Sequence, residues 1–206
     1  MPSKAHKNLA GRMKDIEQLL EAHKAMTQFK RARSAAERAG GELEKISEVI
    51  GKLVQEPGRG RRKEVAALNR SAMVLLSAHL QGYIEDVYDE ATHLLLDGKI
   101  RNVNMLIRQA KRTFSNPHAN RINSLYASIG IPDIMDGLSW QGAANKAIKR
   151  RLSEYIKIRN DIAHGSQESI TKQKVTSFKQ FVEVFARNFD EKVSREIRSI
   201  IRRSPW

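Results

Sequence analysis

The chain contains no cysteine, which excludes disulfides and thiolate metal sites and suits a reducing compartment. No apolar stretch is long enough to span a bilayer, and residues 1–10 have no apolar run of the kind that opens a signal peptide. The expectation is a soluble, cytoplasmic protein that does not engage a membrane. Aromatic residues make up 6% of the chain, too little for an extended platform of stacked bases. Alternating apolar and polar runs, which would mark strands, are missing as well. Acidic residues are in deficit: 23 Asp and Glu stand against 37 Lys and Arg, a net charge of +14. That excess points to a polyanionic partner, although a basic surface alone does not separate RNA from DNA or an anionic membrane.

What is present is helical. A chain of 206 residues supports one domain with an appended arm and can bury a substantial core. Leu9, Met13, Ile16, Leu19 and Leu20, then Leu43, Ile46, Val49, Ile50 and Leu53 beyond Gly40-Gly41, recur at helical spacing. They predict an N-terminal helical arm or hairpin over residues 1–56. Glu56-Pro57-Gly58-Arg59-Gly60-Arg61-Arg62 breaks the pattern, and the boundary of the main bundle, residues 63–203, is placed there. A helix is expected over about 63–96, apolar round much of its circumference, as for an element at a bundle centre. Shorter helices follow over 100–114 and 119–129, then an irregular stretch from 130 to 141, a helix over 142–162, and a long amphipathic helix over 171–202.

The most informative motif lies at the end of the helix over 142–162, in Ile158-Arg159-Asn160-Asp161-Ile162-Ala163-His164-Gly165. Arg159 continues the apolar side formed by Ile148, Leu152, Tyr155 and Ile156. Gly165 fits a left-handed C-cap, which puts His164 in the last turn, where the helix dipole favours a cationic group. Asn160 lies four residues before His164 and is expected to orient the imidazole. An always-charged planar guanidinium suits phosphate oxygens, and an imidazole suits proton transfer near neutral pH. Together they are the groups that metal-free cleavage of RNA needs: a base for the ribose 2′-OH, an acid for the 5′-oxygen and a cation for the charged transition state. A single histidine does not readily serve both proton steps in one turnover, so a two-fold dimer bringing two pairs together is expected.

Three other constellations stand out. Glu85, Asp89 and His93 share one helical face, with Asp86 and Glu90 beside them; no second carboxylate-His helix complements them, so a solvated acidic face, or contact with a basic partner or the N-terminal arm, is preferred to a metal site. Arg59, Arg61 and Arg62 form one basic patch and Arg195, Arg198 and Arg202 another, both candidate grips on an RNA backbone. Trp140, Trp206 and Tyr126 are candidate stacking residues, with core packing preferred for Tyr126, and His118 reads as a loop residue.

Three segments resemble the HEPN superfamily, and within it the RiboL-PSP-HEPN type of prokaryotic ribonuclease domain. The run from Asn69 to Asp86 is similar to the family's long central helix; Phe114-Ser115-Asn116-Pro117 through Ile122–Tyr126 to Ile129-Gly130-Ile131 forms a second match; and the run from Trp140 to Gly165 matches the family's Arg-polar-x-x-x-His signature with Asn160 as the polar residue. The resemblance implies an all-α HEPN-type bundle that dimerises through its motif helices. It also implies a metal-independent endoribonuclease needing no cofactor, with Arg159, Asn160 and His164 as catalytic residues. Such domains serve toxin–antitoxin and antiviral systems, so an antitoxin or defence-system partner is expected beside RNA. The alternative is a non-catalytic HEPN-like dimeric module that binds nucleic acid or a protein. Gln81 stands where many relatives have an acidic residue, and that carboxylate's role does not transfer. Gly165 and Ser166 follow His164, so silencing through an adjacent tyrosine is not expected.

Overall fold

A computed structural model describes residues 1–39, 61–96, 99–166 and 169–206. Among these are six helices and no strand: α1 Lys4–Ala39, α2 Arg61–Leu96, α3 Val103–Thr113, α4 Ala119–Ala127, α5 Asn145–Ala163 and α6 Lys172–Ile201. The expected all-α bundle is what forms. The expected hairpin partner of α1 lies outside the described residues.

The central element is α2, which packs against every other helix. Met73, Leu76, Leu80, Tyr83, Ile84, Val87 and Tyr88 are fully buried, and they fall on more than one side of the helix, so α2 cannot keep its apolar surface from water without neighbours. Along α6, Val175, Phe178, Val182, Phe185, Phe189, Val193 and Ile197 are likewise fully buried, at steps of three and four that give one continuous stripe. The hydroxyls of core tyrosines are satisfied on helix carbonyls: Tyr83 donates to Ala186 at 2.7 Å and Tyr126 to Ile84 at 3.2 Å.

Pair contacts fix the directions of the helices. Tyr83 reaches Ala186, while Asn69 Nδ2 donates to the Ile170 carbonyl at 2.7 Å, so α2 and α6 run parallel. Tyr155 stacks on Phe178 at 4.1 Å, while Trp140, just before α5, meets Phe181 and Phe185, so α5 runs antiparallel to α6. Between α4 and α5 the irregular stretch is packed down: Ile134 and Met135 are fully buried, and Asn145 Nδ2 donates to the carbonyls of Met135 and Leu138 at 2.7 and 3.1 Å.

The first half of α1 belongs to the same core, through Ala5, Leu9, Met13 and Ile16. Its start is held by two carboxylates from different helices. Glu90 accepts from the backbone N–H groups of Lys4 and Ala5 at 3.1 and 2.5 Å. Buried Asp190 accepts from the Ser3 N–H at 3.1 Å and from the Ser3 hydroxyl. Ser3 Oγ in turn accepts from His6 N–H at 3.0 Å, an N-cap that leaves none of the first donors of α1 without an acceptor. Negative charge at this end also complements the helix dipole. Asp190→Ala removes both acceptors of Ser3 and should lower unfolding free energy by about 2 kcal/mol in urea titration. An unchanged midpoint would mean that this tie contributes nothing.

Candidate functional site

The motif is built by α5 and its exit. Ile148, Leu152, Tyr155 and Ile156 are the buried stripe of α5, and Arg159 lies one turn further along it. The stem of Arg159 therefore follows the core while its guanidinium emerges where the stripe runs out; the residue is half-buried, as the sequence suggested. Nη1 donates to Asn160 Oδ1 at 3.1 Å and faces Asn116 Oδ1 at 3.5 Å. Among the described residues no carboxylate pairs with Arg159; Asp161, two positions on and turned away from it, pairs with Lys157 at 2.5 Å. Among the described residues the charge is held by neutral amides alone, a condition that favours attraction for an anion.

His164 closes the helix. Its N–H donates to the Asn160 carbonyl at 2.9 Å, Gly165 N–H to Ile162 at 3.0 Å and Ser166 N–H to Asp161 at 2.9 Å. These last two bonds form a Schellman motif around Gly165, whose φ of +87° requires glycine or a residue tolerant of the left-handed region. The His164 ring is exposed. It does not meet Asn160, contrary to the expectation that the amide would orient it. The amide oxygen of Asn160 is taken instead by the charged donor of Arg159.

Asn116 is the residue that sequence reasoning missed in this role. It sits in the α3–α4 connection, 43 positions from Arg159, and the local cue was only the Ser115-Asn116-Pro117 turn composition. The neighbouring His118 is the N-cap of α4, a loop residue as expected; its pKa is lowered by burial and by the Arg121 charge.

The other candidates fall elsewhere. Because α5 and α6 are antiparallel, the motif lies near the start of α6, whereas exposed Arg195, Arg198 and Arg202 lie at its far end, roughly 35–45 Å along the axis. One protomer does not bring this stripe and the motif together. Arg59 lies outside the described residues, as do the side chains of Arg61 and Arg62. The acidic face of α2 is engaged: Lys111 bridges Asp89 at 2.8 Å and Glu85 at 3.8 Å, Arg12 bridges Asp86 at 2.7 Å, and Glu90 caps α1. Of the expected roles, contact with the N-terminal arm is the one seen, and no metal-binding cluster occurs among the described residues. Gln81 donates to Glu85 at 2.9 Å. Tyr126 is fully buried, as expected, and Trp140 and Trp206 are partly buried against the core.

An all-helical bundle whose central helix is wrapped by its neighbours, with an Arg–polar–His signature at one helix end, defines a HEPN-type domain. The RiboL-PSP-HEPN family model matches residues 41–195, and the chain belongs to that family. No curated protein and no solved structure matches it. Among the described residues no helix is long and apolar enough to cross a membrane.

Gly165→Ala should cost about 1 kcal/mol of unfolding free energy, and Gly165→Asn less, because asparagine tolerates the left-handed region. Equal stability of both variants with wild type would show that the cap does not hold the helix end.

Proposed function

We propose that this protein is a metal-independent endoribonuclease acting on single-stranded or loop RNA. The observation that supports it most is the state of Arg159: half-buried, gripped by two neutral amides and unmatched by any acid among the described residues, at the same helix end as an exposed histidine. In the proposed reaction a His164 imidazole takes the ribose 2′-OH proton and the 2′-oxygen attacks phosphorus. The P–O5′ bond breaks as a second acid protonates the leaving oxygen, giving a 2′,3′-cyclic phosphate and a 5′-OH. Arg159 stabilises the charge gathering on the non-bridging oxygens.

The second proton carrier is assigned to a second copy of the chain. Beside the motif runs an open groove of about 530 Å³ lined by Leu19, Val74, Leu75, Ala78 and Ile162, with Arg70 and Ser71 among them. It is largely apolar and includes a residue of the motif itself, so pairing two protomers across it would place two motif ends near each other. The reading is completed by a role as a toxin or antiviral effector in the cytoplasm, held in check by an antitoxin or defence-system partner.

The test is incubation of wild type, Arg159→Ala and His164→Ala with a labelled single-stranded RNA in EDTA, with product ends mapped and oligomeric state measured. Wild type should leave cyclic-phosphate ends, and each variant should lose at least roughly a hundredfold in rate while remaining dimeric. Cleavage by His164→Ala at the wild-type rate, or none by any of the three, would favour a non-catalytic HEPN-like module that binds nucleic acid or a protein.

A further inference from the structure

We infer that Asn116 is a positioning residue that holds the Arg159 guanidinium where a scissile phosphate would meet it; the inference rests on the ribonuclease reading of the motif. Four features of the α3–α4 connection make it a fixed support. Phe114 and Pro117, on either side of Asn116, are buried, so the turn is anchored in the core at two points. Asn116 itself has a φ of +51°, a conformation that asparagine tolerates and most residues do not. The His118 N–H closes the turn onto the Asn116 carbonyl at 2.7 Å. Arg121 straps the turn from α4, with Nη1 at 3.2 Å from the Ser115 carbonyl and 2.7 Å from its hydroxyl.

From this support Oδ1 points at Arg159 Nη1 at 3.5 Å, while Asn160 Oδ1 takes the same nitrogen at 3.1 Å. One nitrogen is thereby aimed between an acceptor on its own helix and one on a different element, which fixes the plane of the fork relative to the bundle rather than to α5 alone. The chemistry of the support is also apt. A carboxylate at position 116 would hold the guanidinium more firmly and cancel the charge that a phosphate needs, whereas an amide orients without neutralising.

The backbone supplies a clean way to separate the side chain from the turn. Glycine accepts φ +51° without strain, so Asn116→Gly removes the oxygen and keeps the fold. Asn116→Asp keeps the oxygen and the φ tolerance and adds a charge. In EDTA, with the full chain and a labelled single-stranded RNA, Asn116→Gly should lose roughly tenfold in kcat with KM within about twofold of wild type. Asn116→Asp should instead raise KM, by weakening attraction for the phosphate. A readout independent of turnover is rotation about the Arg159 Nε–Cζ bond, followed by nitrogen-15 relaxation of labelled arginine and assigned by its loss in Arg159→Ala. Rotation should be slow in wild type and Asn116→Asp and severalfold faster in Asn116→Gly. Wild-type kcat, or wild-type rotation, in Asn116→Gly overturns the inference. A wild type that cuts nothing sinks the ribonuclease reading instead, and the rotation measurement still decides whether Asn116 holds Arg159.

Discussion

The bundle depends on the burial of α2. A helix whose apolar residues run round much of its circumference gains little from one partner, and full burial needs several helices at once. That requirement draws α1 and α6 along its length, seats α5 against it, and presses α3 and α4 against its second half. The polar residues within this arrangement follow the same logic: Asn69, Tyr83 and Tyr126 each reach a carbonyl, because a buried donor without an acceptor would offset much of what the packing contributes. At the start of α1, Asp190 and Glu90 perform that service together for a helix that lies outside the matched family span yet shares the core.

The candidate site is a by-product of where a stripe ends. Tyr155 stacked on Phe178, with Leu152 and Ile156 in the core, fixes the roll and height of α5. The next position on that stripe is Arg159, so burial of its neighbours aims a cation at the rim of the bundle. The helix then stops within a turn, through Gly165, and leaves His164 in solvent. Rigidity and exposure, which a phosphate-handling site would need together, come from two residues of one helix end. Two amides finish the arrangement by orienting the guanidinium without spending its charge.

Much of this was legible in the sequence where local periodicity decides it. The steps of three and four from Val175 to Ile197 give α6 almost to the residue, and the apolar run from Leu68 to Tyr88 gives α2 its central place. The start of α5 comes three residues later than periodicity suggested, at Asn145, because Gly142 takes a φ of +74° and belongs to the turn. What could not be read are contacts between distant segments. Asn116 meets Arg159 only once the α3–α4 turn is laid against α5. Asn160 gives its amide oxygen to the guanidinium, where helical spacing had paired it with the imidazole. The separation of the α6 arginines from the motif follows from the antiparallel packing of α5 on α6, which composition does not encode.

Cleavage at the proposed Arg159–His164 site requires attack by the ribose 2′-oxygen, so the decisive substrate is one that lacks that oxygen. An oligonucleotide is first cut by wild type and its cleavage position mapped; the same oligonucleotide is then made with a single 2′-deoxy nucleotide on the 5′ side of the scissile bond. Cleavage should be lost at that position, with neighbouring sites still cut. Unchanged cleavage at the deoxy position would contradict that mechanism, because the nucleophile would then have come from elsewhere.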